Sequence, residues 1–166
     1  MADALIGLGG NVGDVRTSLA RAIPLIVQRA AARLVARSSD YETPPWGDTD
    51  QAPFVNACIR LETAVSPHDL LGMLHEVEAT FGRDRPRERR WGPRPLDLDL
   101  LAYDDVTLAG DDLTLPHPSL FERAFVLVPL AEIAPDRDIG GRTPAQVLKT
   151  LSTDGIRRLP HMRPDV

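Results

Sequence analysis

The sequence has 166 residues, 18.2 kDa and 43% hydrophobic content, which fits one ordinary domain, 1–166, around one buried core. Its net charge of -5 argues against a general nucleic-acid binder whose affinity rests on whole-surface phosphate neutralisation. No run approaches the ~18 to 20 apolar residues of a membrane span, and Cys58 is the only cysteine, so no internal disulfide is possible. The opening Met1-Ala2-Asp3-Ala4 carries an acid where an export signal needs positive charge, and a cytoplasmic location is expected.

Leu5 to Leu8 reads as a short strand, followed by a turn at Gly9-Gly10-Asn11. Asp14 is a helix N-cap before the stripe Val15, Leu19, Ile23 and Ile26, with a kink expected at Pro24. Leu34 to Tyr41 reads as one second strand, and Thr43-Pro44-Pro45-Trp46-Gly47 as an extended exposed loop, because proline denies helix and ladder donors. Phe54 to Thr63 alternates as a third strand, with Asn56 on the face of Phe54. Ser66-Pro67 opens a second helix striped by Leu70, Leu71, Leu74, Val77 and Phe81, and Gly82 stops it. Leu96 to Tyr103 is a fourth strand. Strand-helix-strand-strand-helix-strand is the ferredoxin-like βαββαβ arrangement, so the fold class is α+β, with the proline-rich remainder wrapping that core as short strands and helices.

Asp97-Leu98-Asp99 on a strand projects both carboxylates to one face while Leu96, Leu98 and Leu100 enter the core. The pair is either a solvent-facing pair of strand acids or a site for a hard cation such as Mg²⁺, which takes one or two protein carboxylates and leaves positions for phosphates and water. The segment from Arg83 to Arg94 holds six arginines against two acids, so an anion is expected there. Arg90 and Arg94 stand closest to the acid pair, and that proximity is what phosphoryl transfer requires; Arg87 and Arg89 read equally well as surface arginines. The glycines from Gly7 to Gly13 miss the dinucleotide fingerprint because Val12 stands where its third glycine belongs, and no P-loop is present. His117, held between Pro116 and Pro118, is either structural or a ligand contact. Glu78 is either an exposed helix acid or a nucleoside contact, and Phe54 and Phe125 are either core residues or a clamp for a flat heterocycle.

These segments resemble the 6-hydroxymethyl-7,8-dihydropterin pyrophosphokinase family over roughly residues 4 to 136. The resemblance rests on Gly9-Gly10-Asn11, Tyr41-Glu42-Thr43-Pro44-Pro45, Phe54-Val55-Asn56, Gly82-Arg83-Asp84-Arg85, Leu115-Pro116-His117 and Arg123-Ala124-Phe125. Its most specific part is the string Arg90-Trp91-Gly92-Pro93-Arg94-Pro95-Leu96-Asp97-Leu98-Asp99. It implies transfer of pyrophosphate from ATP to the hydroxymethyl group of 6-hydroxymethyl-7,8-dihydropterin in folate biosynthesis, giving AMP and the pterin diphosphate. Asp97 and Asp99 would hold two Mg²⁺ ions, and Phe54 and Phe125 would stack on the pterin, with Asn56 and residues Thr43, Pro44, Pro45 and Trp46 reading its edge. Arg83, Arg85, Arg90, Arg94, His117 and Arg123 would engage the nucleotide phosphates, with Arg83, Arg90 and Arg94 counted as catalytic. Glu78 and Leu100 would lie near the nucleoside, and a monomer is the family-level expectation.

Four positions depart from the family pattern. Gly10 replaces the usual serine, which predicts a more flexible turn, and His75 stands where a glutamine often helps bind ATP. Phe54 replaces a tyrosine, and Pro118 follows His117 in place of an aromatic or polar residue. Two rival readings are a nucleotidyltransferase, which would release pyrophosphate rather than AMP, and a ferredoxin-like RNA-binding module. The second would need exposed aromatic and basic strand faces, which 5% aromatic content barely supplies.

Overall fold

The structure is a computed structural model that describes residues 1–45, 49–84, 86 and 92–162. Alternation along the first strand sets its architecture. In β1 (Ala2–Gly10), Ala4, Ile6 and Leu8 enter one core cluster and Leu5 enters another, so the strand is buried on both faces. The elements that follow are α1 (Val15–Arg29), β2 (Arg33–Arg37), β3 (Tyr41–Thr43), β4 (Phe54–Thr63), α2 (Pro67–Thr80) and β5 (Asp97–Tyr103). Strand order β5-β1-β4, all antiparallel, with β2 and β3 on the far edge of β4, is the expected ferredoxin-like sheet.

Helices α1 and α2 cover one face, where Leu19, Ile23 and Ile26 meet Leu70, Leu74 and Val77 over Ile6, Ile59 and Leu98. The other face is covered by α3 (Ala124–Ile133) and α4 (Pro144–Leu148), which pack Val126, Leu127, Leu130 and Val147 onto Leu5, Cys58 and Leu101. A small hairpin of β6 (Leu108–Ala109) and β7 (Thr114–Leu115) flanks β5, and β8 (Arg157–Arg158) pairs with β3 at the opposite end of the sheet. The expected C-terminal strands and helices are thus present, and they supply an entire layer.

Three local expectations are corrected. The single strand expected over Leu34 to Tyr41 is split, because Ser38 breaks the ladder: its Oγ accepts the Cys58 N–H at 2.8 Å while its own N–H donates to the Cys58 carbonyl at 2.9 Å. Two residues on, Asp40 is held between the guanidinium groups of Arg16 and Arg37, at 3.0 and 2.9 Å. The turn expected at Gly9-Gly10 is strand instead. A Cβ on Gly10 would lie 2.6 Å from the Pro95 carbonyl oxygen, so the glycine permits a close approach of two chain segments rather than a loose turn. Pro24, expected to kink α1, lies inside an uninterrupted helix over Val15–Arg29.

Candidate active site

The site begins with a match between two short sequences on neighbouring strands. Gly9 pairs with Asp97 and Gly7 with Asp99, so each carboxylate lies opposite a residue without a side chain. A Cβ at Gly9 would collide with Oδ1 of Asn56, and the missing side chains leave the floor of a cleft open beside Asp97 and Asp99. This Gly-Leu-Gly against Asp-Leu-Asp pairing escaped the sequence reading, although the alternation was its signal. Leu96, Leu98 and Leu100 are buried as expected.

Helix α2 delivers the first cation through its end. Gly82 adopts φ +89°, and the N–H groups of Gly82 and Arg83 donate to the carbonyls of Ala79 and Glu78, the paired bonds of a Schellman stop. That reversal aims Arg83 back beneath the sheet edge. Its Nη1 donates to Oε2 of Glu78 at 2.5 Å and to Oδ1 of Asp97 at 2.7 Å. Glu78, read from sequence as an exposed acid or a nucleoside contact, is 1% exposed, and its Oε2 also accepts the Leu98 N–H at 2.8 Å. A buried carboxylate satisfied in this way anchors Arg83 and β5 to α2. Arg94 Nη1 approaches Asp97 at 3.7 Å.

Asn11 ties the arginine segment to the opposite loop. Its Oδ1 accepts the Arg94 N–H and its own N–H donates to the Arg94 carbonyl, both at 3.0 Å; its Nδ2 donates to Gln51 Oε1 and to the Ala52 carbonyl, both at 2.9 Å. The sequence reading quoted Asn11 as part of a motif without a role.

Two recesses flank the acids. One is lined by Thr43, Pro44, Phe54, Asn56 and Phe125 with Arg94, Asp97 and Arg123, and so gathers the described residues expected to hold the pterin except Pro45. Within it Asn56 Nδ2 donates to Thr43 Oγ1 at 2.7 Å, which fixes the amide. The guanidinium of Arg123 lies 5.8 Å from the Phe125 ring centroid, and its buried Nε has no hydrogen-bond partner among the described residues. The other recess runs along β5 and is lined by His75, Leu98, Asp99, Leu100 and His117, with Gly110 to Leu113 of the hairpin as a wall that sequence reasoning missed. His117 is set there by its N–H, which donates to the Leu101 carbonyl at 2.9 Å, while Nδ1 accepts the Ser119 N–H at 3.2 Å. That bond leaves the proton of a neutral ring on Nε2. Burial first, then the charge of Arg123, lowers the His117 pKa and favours that neutral ring. Pro45 lies beside the first recess in sequence, whereas Trp46, Arg85 and Arg90, with Arg87 and Arg89, fall outside the described residues.

The donor set fits a divalent cation. Desolvation first and the neighbouring Asp97 charge second raise the Asp99 carboxyl above the ordinary carboxylate range, and two adjacent carboxylates are the hard oxygen donors that Mg²⁺ takes. Among the described residues no group of three or more His, Cys, Asp or Glu gathers at one point.

A ferredoxin-like α+β scaffold with paired carboxylates among arginines, between two recesses, defines a phosphate-handling α+β protein. Sequence comparison gives the particular family. The pattern of the 7,8-dihydro-6-hydroxymethylpterin-pyrophosphokinase (HPPK) family matches residues 5–135. A 2-amino-4-hydroxy-6-hydroxymethyldihydropteridine pyrophosphokinase of Methylorubrum extorquens is 50% identical over 159 residues, covering 96% of this chain and 99% of its own length. That of Bacillus subtilis is 45% identical over 130 residues, covering 78% and 77%. The chain belongs to the HPPK family, ATP-using pyrophosphokinases of folate synthesis. Crystal structures of wild-type Plasmodium falciparum HPPK-DHPS, with SDX-DHP or with pteroate, share its fold with TM-scores of 0.67 and 0.69 at 14% identity. They cover 90% of this chain, which spans 43% and 42% of theirs. No described helix is long and apolar enough to cross a membrane.

Proposed function

We propose that the protein transfers the terminal pyrophosphoryl unit of ATP to the hydroxymethyl oxygen of 6-hydroxymethyl-7,8-dihydropterin, releasing AMP and the pterin diphosphate, as a single cytoplasmic domain acting as a monomer. The observation that carries this reading is the position of Asp97 and Asp99 between a ring-lined pocket and an open groove, so that two substrates would meet at the acids. Phe54 and Phe125 offer aromatic faces to a flat bicycle, and the tethered Asn56 amide offers a fixed acceptor and donor to its edge. Leu98 and Leu100 give the second recess an apolar side for the nucleoside, and the Nε2–H of His117 is a donor for ATP.

Asp97 and Asp99 would hold two Mg²⁺ ions together with the nucleotide phosphates, and the ions would neutralise charge on the transferring group. Arg83 now neutralises Asp97, and with Arg94, Arg123 and the expected Arg85 and Arg90 it supplies the remaining positive charge. In-line attack on the β-phosphorus needs the hydroxymethyl oxygen held opposite the AMP leaving group, and substrates bound in a pocket and a groove on either side of the acids would meet that need. Loop closure over 43 to 53 and 83 to 95 would exclude water, whose attack would waste ATP.

Incubating the protein with Mg²⁺, ATP and the pterin tests this directly. AMP and pterin diphosphate in equal amounts are expected; ADP or free pyrophosphate as the product would overturn the reading. Asp97→Ala should abolish transfer while leaving the fold intact, and unchanged turnover would remove the metal assignment.

A further inference from the structure

We infer that residues 155–160 form a strap that fixes the wall of the pterin pocket from behind, making the C-terminal segment a positioning element for the acceptor substrate. The inference rests on the function proposed above. It starts from the shortness of β3, whose three residues end at the pocket residues Thr43 and Pro44. Pairing to β4 on one edge gives so short a strand few ladder bonds, and its other edge would be open without β8.

The strap covers that edge at Tyr41 and Glu42 and at Asp40 just before them. Arg158 pairs with Tyr41 and Arg157 with Glu42, and the Leu159 N–H donates to the Asp40 carbonyl at 2.9 Å. The two ends lie against different parts of the fold. At one, Arg16 Nη2 donates to the Pro160 carbonyl at 2.5 Å, and the same guanidinium holds Asp40. At the other, Gly155 turns at φ +81°, and a Cβ added there would lie 3.4 Å from Cγ of Pro44, so this turn stands beside the pocket wall. The exposed pair Arg157–Glu42, at 3.0 Å, adds little by itself; the backbone pairing and the place of Gly155 beside Pro44 carry the argument.

The position of β3 matters because Thr43 Oγ1 orients the Asn56 amide at 2.7 Å. A shift of β3 would therefore move a wall and a recognition group of the pterin pocket together. The groove of His75, Leu100 and His117 lies along β5, at the opposite end of the order β5-β1-β4-β3-β8, and should not feel it. The strap lies beyond residues 5–135 that match the family pattern, so the family match assigns it no role.

Two substitutions in the full-length chain separate this role from general stability. Gly155→Val places methyl groups against Pro44 in a backbone conformation that valine resists. Leu159→Pro removes the N–H that donates to Asp40 while suiting an extended segment. Steady-state kinetics with Mg²⁺, ATP and 6-hydroxymethyl-7,8-dihydropterin should show pterin KM raised about tenfold, with ATP KM changed by less than about twofold. Pterin KM left at the wild-type value in both variants, or the two KM values rising together, would overturn the strap's role. Should Gly155→Val fail to fold, Leu159→Pro alone decides between those outcomes. A wild-type protein that forms no AMP with these substrates would overturn the proposed function itself.

Discussion

Asn11 shows how much one short amide can hold. Its oxygen serves Arg94 and its nitrogen serves Gln51 and Ala52, so a single side chain joins the arginine segment to the loop that leads into Phe54. The two ends can be separated by substitution, because aspartate keeps the acceptor and loses the donors. Asn11→Asp should raise pterin KM by about thirtyfold, the effect of two lost hydrogen bonds of ~1 kcal/mol each, with kcat retained. Asn11→Ala should lower kcat as well, and kinetics in which both variants behave alike would remove the two-ended role. His117 is a second case. Its pKa lies below the usual 6.5, so folding favours the neutral ring. Its contribution to stability is therefore fully present above about pH 6.5 and is lost as the pH falls through the lower folded value. Thermal midpoints of His117→Asn should fall less steeply than wild type between pH 7 and the acid side of that range, and parallel curves would contradict this.

Elements carry the next level of argument. Helix α2 does more than cover the sheet, since its glycine stop turns Arg83 toward Asp97 and its last buried acid, Glu78, holds it there. A pattern that reads only as a helix terminus in sequence is thus part of the site. Helix α1 holds the opposite lesson. Pro24 is exposed in mid-helix, where its ring crowds the preceding turn and no N–H can reach the Ala20 carbonyl, yet burial of Leu19, Ala22, Ile23 and Ile26 keeps the helix continuous. Pro24→Ala should therefore stabilise the protein by about 1–3 kcal/mol. A thermal midpoint that does not rise would show that the proline is accommodated without cost.

At the scale of the molecule, the three layers place the acceptor pocket and the β5 groove on either side of one acid pair. Metal binding should follow from this arrangement. With two carboxylates facing the cleft and Arg83 already on one of them, Mg²⁺ alone should shift thermal unfolding little, while Mg²⁺ with a non-hydrolysable ATP analogue should raise the midpoint clearly. A large shift with Mg²⁺ alone would mean the protein holds the ion without nucleotide phosphates.

The sequence by itself determined the α+β class, the four core strands and two helices, and the clustering of arginines near Asp97 and Asp99. Those features are local: alternation, helical stripes, caps and charge runs express themselves within about ten residues. Only the tertiary structure decided the rest. Gly9 became the space for Asn56, Gly10 the closest approach to Pro95, and Glu78 the buried partner of Arg83, because each depends on what another strand or helix places opposite it. The break at Ser38 is of the same kind, since Cys58 lies across the ladder, and so is the strap on β3, whose partners are separated by more than 110 residues. Such pairings carry no periodic mark in the sequence; they arise where non-local packing and the need to satisfy buried polar groups override local preference.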